Sequence, residues 1–264
     1  MKKILALTIA VLMLLACLTA CKAKENIADD NAGAFKEDVV LMYEDFYYST
    51  NVDGTYEITG IRLITNDRVD IKIPAEIEGR EVTGIAADAF KSINTIESVE
   101  IPEGILYVGD YAFYGCTALK SVEIPATLET IGKGAFEGCV ALDELDFADN
   151  SALMTVGNYA FKDCAALKSF DFGGVIANVG DCAFMNCDKL EAVELTANVK
   201  KLGKAAFVGC EALDEISVAN AELEIGEAAF FTGAKTVTVT AADGSTAQSY
   251  AAANTNYIVF EIAE

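Results

Sequence analysis

One dipeptide, Ala-Phe, returns along most of this chain at a nearly fixed interval. Its Phe stands at 90, 113, 136, 161, 184, 207 and 230, so the spacings are 23, 23, 25, 23, 23 and 23. Other columns keep the same register. Four residues before the Phe comes Gly109, Gly132, Gly157, Gly180, Gly203 or Gly226, with Ala86 in the first copy. Three residues after it comes Cys116, Cys139, Cys164, Cys187 or Cys210, with Ile93 and Gly233 in the outer copies. Leu119, Leu142, Leu167, Leu190 and Leu213 follow the Cys. A unit this short cannot bury its own apolar side, but it can do so against neighbouring copies. The period therefore predicts a stack of rungs.

After the Leu comes a short alternating stretch such as Val122-Glu123-Ile124. Leu119, Val122 and Ile124 follow L-x-x-L-x-L, the pattern of a strand in a repeat solenoid. Such strands pair in parallel at about 4.8 Å. The Gly column permits a backbone angle or a close approach that a Cβ would obstruct. The Phe and Cys residues are expected to form stacked interior columns.

The whole pattern, C-x-x-L-x-x-V-x-I-P-x-x-L-x-x-I-G-x-x-A-F-x-x, resembles the BspA-like leucine-rich repeats of bacterial surface proteins. The resemblance runs from about Tyr56 to Phe260. It implies an α/β repeat solenoid, a right-handed superhelix with a parallel concave sheet, closed by an N-terminal hairpin cap and a C-terminal cap. All three prolines, Pro74, Pro102 and Pro125, close alternating stretches. From Phe147 onward Ala148, Gly173, Thr196 and Ala219 stand in the Pro column, and the turn conformation there departs from the pattern. The 25-residue copy contains Asp149-Asn150-Ser151, expected to be a bulged turn.

The ends read differently. Lys2 and Lys3 precede an apolar run, Ile4 to Ala16, and then Leu18-Thr19-Ala20-Cys21. This resembles a lipoprotein signal, which implies cleavage after residue 20, lipidation of Cys21 and firm anchoring by several acyl chains. An ordinary secretory signal is the alternative. Residues 21–34 read as a flexible tether. Residues 35–90 would hold the N-terminal cap and first rung, 91–234 the repeats, and 235–264 the C-terminal cap. Within the caps, Asn51-Val52-Asp53-Gly54 predicts a β-hairpin turn. An extra turn is expected at Glu78-Gly79-Arg80, a short helix over Ser245 to Ala251, and a last strand over Tyr257 to Ile262.

Composition removes several kinds of chemistry. The chain has no His and no Trp, and 41 Asp+Glu against 19 Lys+Arg give a formal net charge of −22. Loss of Lys2 and Lys3 with the signal would make it two units more negative. There is no Ser-His-Asp or Cys-His group and no imidazole metal ligand. Phosphate backbones would be repelled, so no nucleic-acid partner is expected. No phosphate-binding glycine loop or metal motif is present, and no cofactor is expected.

Two features could carry function. The five columnar cysteines read as small buried apolar side chains, although a disulfide between neighbouring rungs stays open on distance alone. Cys182 stands outside that column, where other copies have Tyr111, Gly134, Tyr159 or Ala205, and is the candidate exposed thiol. The second feature is an acidic ladder. In each Val-x-Ile stretch the middle side chain points outward, and Glu100, Glu123, Asp146, Asp171 and Glu194 fill five successive middle positions. Either this is a solvated acidic face, or it is a surface for a basic protein partner. A flanking column of mixed sign, Glu97, Lys120, Asp143, Lys168, Glu191, Asp214 and Lys235, would relieve its repulsion.

The expected function is non-catalytic binding by an extracytoplasmic, lipid-anchored protein of the bacterial envelope, exposed at the cell surface. Relatives with BspA-like repeats are associated with adhesion, so the resemblance implies a host-matrix or bacterial surface protein as ligand. An envelope scaffold without an external ligand is the alternative. A carboxylate-dependent hydrolase is the weaker rival, because a regular ladder supplies paired carboxylates at every step without implying a reaction.

Overall fold

The computed structural model describes residues 45–63, 67–233 and 235–263. The expected signal, the lipidation site Cys21 and the 21–34 tether lie outside the described residues. Among the described residues no helix is long and apolar enough to cross a membrane.

The described chain is a β-solenoid of stacked parallel strands. A typical rung contributes a front strand, a two-residue back strand and a wall of turns that carries the Ala-Phe pair; the rung of Asp171 lacks the front strand. Front strands alternate: in Ser121–Ile124, Val122 and Ile124 are buried and Glu123 is exposed. Period-two alternation places one apolar face inside and one polar face in water. The back strands pair in parallel without interruption, from Gly84-Ile85 through Tyr107–Val108, Thr130–Ile131, Thr155–Val156, Asn178–Val179 and Lys201–Leu202 to Glu224–Ile225.

The turn wall is laddered as well. The Phe113 N–H donates to the Ala135 carbonyl at 2.7 Å, and the same bond recurs from Phe136 to Ala160 and from Phe161 to Ala183. Backbone groups in these turns are thereby satisfied between rungs rather than within a helix. The α/β expectation narrows accordingly. One α-helix, Thr246–Ala253, occurs among the described residues, and it lies outside the repeats. Twenty-three residues spent on two strands and their corners leave only single turns for the third side.

The interior is a set of columns. All seven Phe of the Ala-Phe pairs are fully buried. From Phe90 to Phe207 neighbouring rings stack at 4.9 to 5.6 Å between centroids. Phe230 instead meets Tyr250 of the helix edge-on at 5.3 Å. The columnar cysteines are buried and free. Each thiol reaches the preceding rung: Cys116 donates to the Phe90 carbonyl and Cys139 to the Phe113 carbonyl, both at 3.1 Å. Those carbonyls already accept the backbone N–H of Ile93 and Cys116, so the thiol fills the second lone pair.

The glycine column answers to close approach. Gly109, Gly132, Gly157, Gly180, Gly203 and Gly226 have no positive φ. A Cβ at Gly203 would lie 2.3 Å from the Gly180 carbonyl carbon, and one at Gly157 would lie 2.6 Å from the Gly132 carbonyl carbon. The residue two positions beyond each of these glycines is left-handed: Tyr111, Gly134, Tyr159, Cys182, Ala205 and Ala228.

At the start, Phe46–Thr50 and Tyr56–Ile61 form an antiparallel pair whose turn holds Gly54 at φ +89. Its second strand pairs in parallel with Arg80–Ile85. The extra turn is a small hairpin, with Glu78 at φ +52 and Gly79 at φ +75. At the other end Ser245 caps the helix by accepting the Gln248 N–H, and Ile258–Ile262 pairs with Val237–Ala241.

Candidate functional site

The acidic column lies on the front strands. Glu100 faces Glu123, and Glu123 faces Asp146, across a four-stranded sheet that begins at Val69–Lys72. Lys72 lies opposite Glu100 and forms an ion pair with it. Glu100 therefore holds the Lys72 ammonium above its ordinary pKa, with Glu123 contributing a weaker pull. Opposite charges in the flanking column pair as their alternation suggests. Lys120 meets Glu97 at 3.1 Å, Lys168 meets Asp143 at 3.2 Å, and Lys235 pairs with Asp214. Exposed pairs of this kind contribute little stability, about 0–1 kcal/mol each. They leave the column's own pairing to its end, where Lys72 neutralises Glu100.

The acidic column does not lie on one sheet, contrary to the expectation of five carboxylates on a continuous ladder. The front wall divides into Val69–Lys72 through Glu144–Phe147 and Ala192–Leu195 through Ile258–Ile262. Asp171 falls between them, in a segment that pairs with neither sheet. Two sequence features account for the break. The preceding rung is two residues longer, and Phe170 and Phe172 occupy the places held by Val122 and Ile124 elsewhere. Phe170 inserts among Phe161, Phe172 and Phe184, with ring centroids 5.3, 4.7 and 4.8 Å away. Rings of that size hold the backbone off strand register, and the Asp171 carboxylate turns to accept the Gly173 N–H at 2.7 Å. The last repeat strand keeps the 23-residue register: Ser217 faces Glu194 on one side and Thr240 on the other.

Three clefts follow the column. One, of about 260 Å³, is lined by Glu100, Glu123 and Asp146 with Pro102 and Pro125. Another of about 260 Å³ contains Phe147, Asp149, Asn150, Asp171 and Gly174. A third of about 230 Å³ contains Asp171, Phe172 and Glu194. The first two share Ala148, and the last two share Asp171 and Gly173. The five carboxylates singled out in the sequence thus line one succession of clefts. Sequence reasoning missed Asp149 as part of it. The signal was the inserted Asp149-Asn150-Ser151 itself, which places an additional carboxylate beside the break.

Cys182 is half-buried and adopts a left-handed backbone, φ +54. Desolvation, with the Asp181 carboxylate beside it, holds its thiol above the ordinary range, and Lys162 opposes this weakly. Among the described residues no group of three or more His, Cys, Asp or Glu side chains could hold a metal ion.

Comparison with known proteins agrees with the architecture. The chain is similar to a leucine-rich repeat protein of T. pallidum, with 21% identity and TM-score 0.52 over 84% of this chain and 99% of that one. A leucine-rich cell surface protein of Faecalibacterium prausnitzii gives 22% identity and TM-score 0.50, over 83% of this chain and 56% of the other. A leucine-rich repeat protein of Eubacterium ventriosum gives 24% and 0.50, over 70% and 49%. At these identities the likeness is one of fold. No curated protein matches the chain. The sequence pattern of the BspA type leucine-rich repeat region matches residues 83–174 and 150–259. With its repeats, its stacked parallel strands and this match in agreement, the chain belongs to the BspA-type leucine-rich repeat family.

Proposed function

We propose that this protein is a non-catalytic, adhesin-like binding module that captures a basic segment of another protein along its acidic front face. The observation that carries the proposal is the alignment of Glu100, Glu123, Asp146, Asp171 and Glu194 with three contiguous clefts. Leucine-rich repeat proteins are typically interaction scaffolds, which supports binding over catalysis. Complementary charge favours a basic partner and rejects an acidic one. Export through the lipoprotein-like signal, anchoring at Cys21 and display at the bacterial surface belong to the same proposal, and the description of the Faecalibacterium relative as a cell surface protein accords with them.

The test is capture of host-matrix and bacterial surface proteins by the immobilised chain, at low and at high salt. Neutralising all five carboxylates (E100Q, E123Q, D146N, D171N, E194Q) is expected to weaken capture at least tenfold at low salt. Capture that is unchanged by these substitutions would move the site off the front face. Labelling of intact cells tests display, and labelling only after permeabilisation would overturn it.

A further inference from the structure

Among the described residues the front wall ends on Ile258–Ile262, which pairs with Val237–Ala241 on one side only. Val237 donates its N–H to the Tyr257 carbonyl, and Ala263 donates to the Ala241 carbonyl. Alternate residues of a parallel strand bond to a given neighbour, so the N–H and C=O groups of Phe260 and Ile262 point to the open edge. The core columns are open there too. Leu195, Val218 and Ala241 lead to Ile262, and they are at most 4% exposed where Ile262 is 58% exposed. Phe260 ends the column of Val193, Ile216 and Val239 and is half-buried where they are buried. The other outer edges are guarded. Phe46–Thr50 carries a register shift between Tyr47 and Tyr48, and half of Val69–Lys72 is charged, as Asp70 and Lys72. At the end of the back wall, Thr246 of the helix donates to the Leu223 carbonyl. Bulges, charge and cover keep strand edges from pairing with other chains. The C-terminal end is also poor in charge: Asp243 and Glu261 are the charged residues of 236–263, in a chain of formal net charge −22. Two copies that repel over most of their surface can approach at this end, and depletion of charge marks the core of protein interfaces.

We propose that this edge binds the same edge of a second copy of the chain, antiparallel, about a two-fold axis at Phe260. The strand is self-complementary in that arrangement. Phe260 faces Phe260, and each gives and takes a backbone hydrogen bond. Ile258 faces the second copy's Ile262, so all three inward positions meet apolar side chains and Ile262 is covered. On the outer face Glu261 meets Val259 and not the other Glu261, which avoids a like-charge pair. Directly opposite residues share a face of the sheet, so both acidic fronts look the same way. Such an interface closes at two copies, the commonest symmetry of soluble oligomers. The pairing does not depend on what the front face binds, and its failure would leave that reading standing.

The test is sedimentation velocity over a concentration series, on the chain from residue 21 onward, the form that signal cleavage would leave. Reductant is present, so that the Cys21 thiol cannot crosslink two copies. Dimers are expected, and nothing larger. V259E sets a like charge against the second copy's Glu261, twice by symmetry, and is expected to weaken the dimer at least tenfold. V259K sets an opposite charge there and is expected to keep its affinity within threefold or to tighten it. Both changes fall on an exposed side chain, so neither disturbs the core. I262P removes an N–H from the open edge and leaves the bond from Ala263 to Ala241 in place. It is expected to weaken the dimer at least tenfold with Tm unchanged. A monomer at every concentration up to about 0.1 mM would overturn the pairing. Equal weakening by V259E and V259K would also overturn it, as the mark of unspecific apolar contact. Oligomers that keep growing with concentration would replace it with a head-to-tail stack.

Discussion

Gly203 and Cys139 stand for the two ways single residues hold neighbouring rungs together. Gly203 permits contact that any side chain would forbid, since its Cβ would fall 2.3 Å from backbone carbon of Gly180. Backbone cannot step aside as a side chain end can. G203A is therefore expected to cost about 3 kcal/mol or more, read as a lower urea midpoint. Cys139 instead supplies a small buried volume and a donor to the Phe113 carbonyl. Burial pushes Cys116 up to about 12 and holds Cys139, Cys164 and Cys187 well above the ordinary thiol value of 9.0. An unfolded chain releases these protons as pH passes that ordinary value, whereas the folded chain keeps them. Stability is thus complete below about pH 9 and falls as pH rises toward 12, by about 1.4 kcal/mol per pH unit for each such thiol. Tm measured at pH 8 and pH 10.5 should fall steeply, and C139A/C164A should flatten the fall. Equal slopes in the two proteins would remove the thiols as its cause.

Among elements, the contrast lies between the uninterrupted back strands and the divided front wall. Amide hydrogen exchange is expected to be slow at Val122, Ile131 and Val156, and faster by at least tenfold at Phe170 and Phe172, whose N–H groups have no strand partner. Similar protection across all of them would show the front wall to be continuous in solution. The repeat pattern made the rung legible because each column serves one physical demand, which is volume for Phe and Cys, clearance for Gly and outward charge for Glu123. The turn at Asp53-Gly54 and the helix after Ser245 were legible for local reasons, from turn and capping chemistry. The break at Asp171 was not, although its causes were visible as two extra residues and two Phe. Whether an aromatic ring is absorbed by the core or shifts the backbone depends on the rungs above and below. That information belongs to the stack and not to the segment.

At the scale of the whole molecule, stability is a sum of rungs and the contacts between them. The last repeat is covered by the segment from Val237 to Ile262, where the helix sets Tyr250 against Phe230 and buries Ala247 and Ala251. Ending the chain at residue 234 would expose Phe230 and the edge of Glu215–Val218. Such a truncation is expected to aggregate or to lose at least 10 °C in Tm by circular dichroism, and a soluble protein of unchanged Tm would show that this segment contributes nothing to the stack. The negative charge is likewise a property of the assembly. Alternate rungs neutralise the flanking column through Lys120, Lys168 and Lys235.

The glycine column also makes the molecule a ruler. With no side chain between Gly132 and Gly157, or between Gly180 and Gly203, backbone meets backbone and fixes the pitch. Adding or deleting one 23-residue unit then changes the reach of the protein by one strand spacing, about 4.8 Å, without redesign of either neighbour. Length becomes a heritable quantity counted in whole steps.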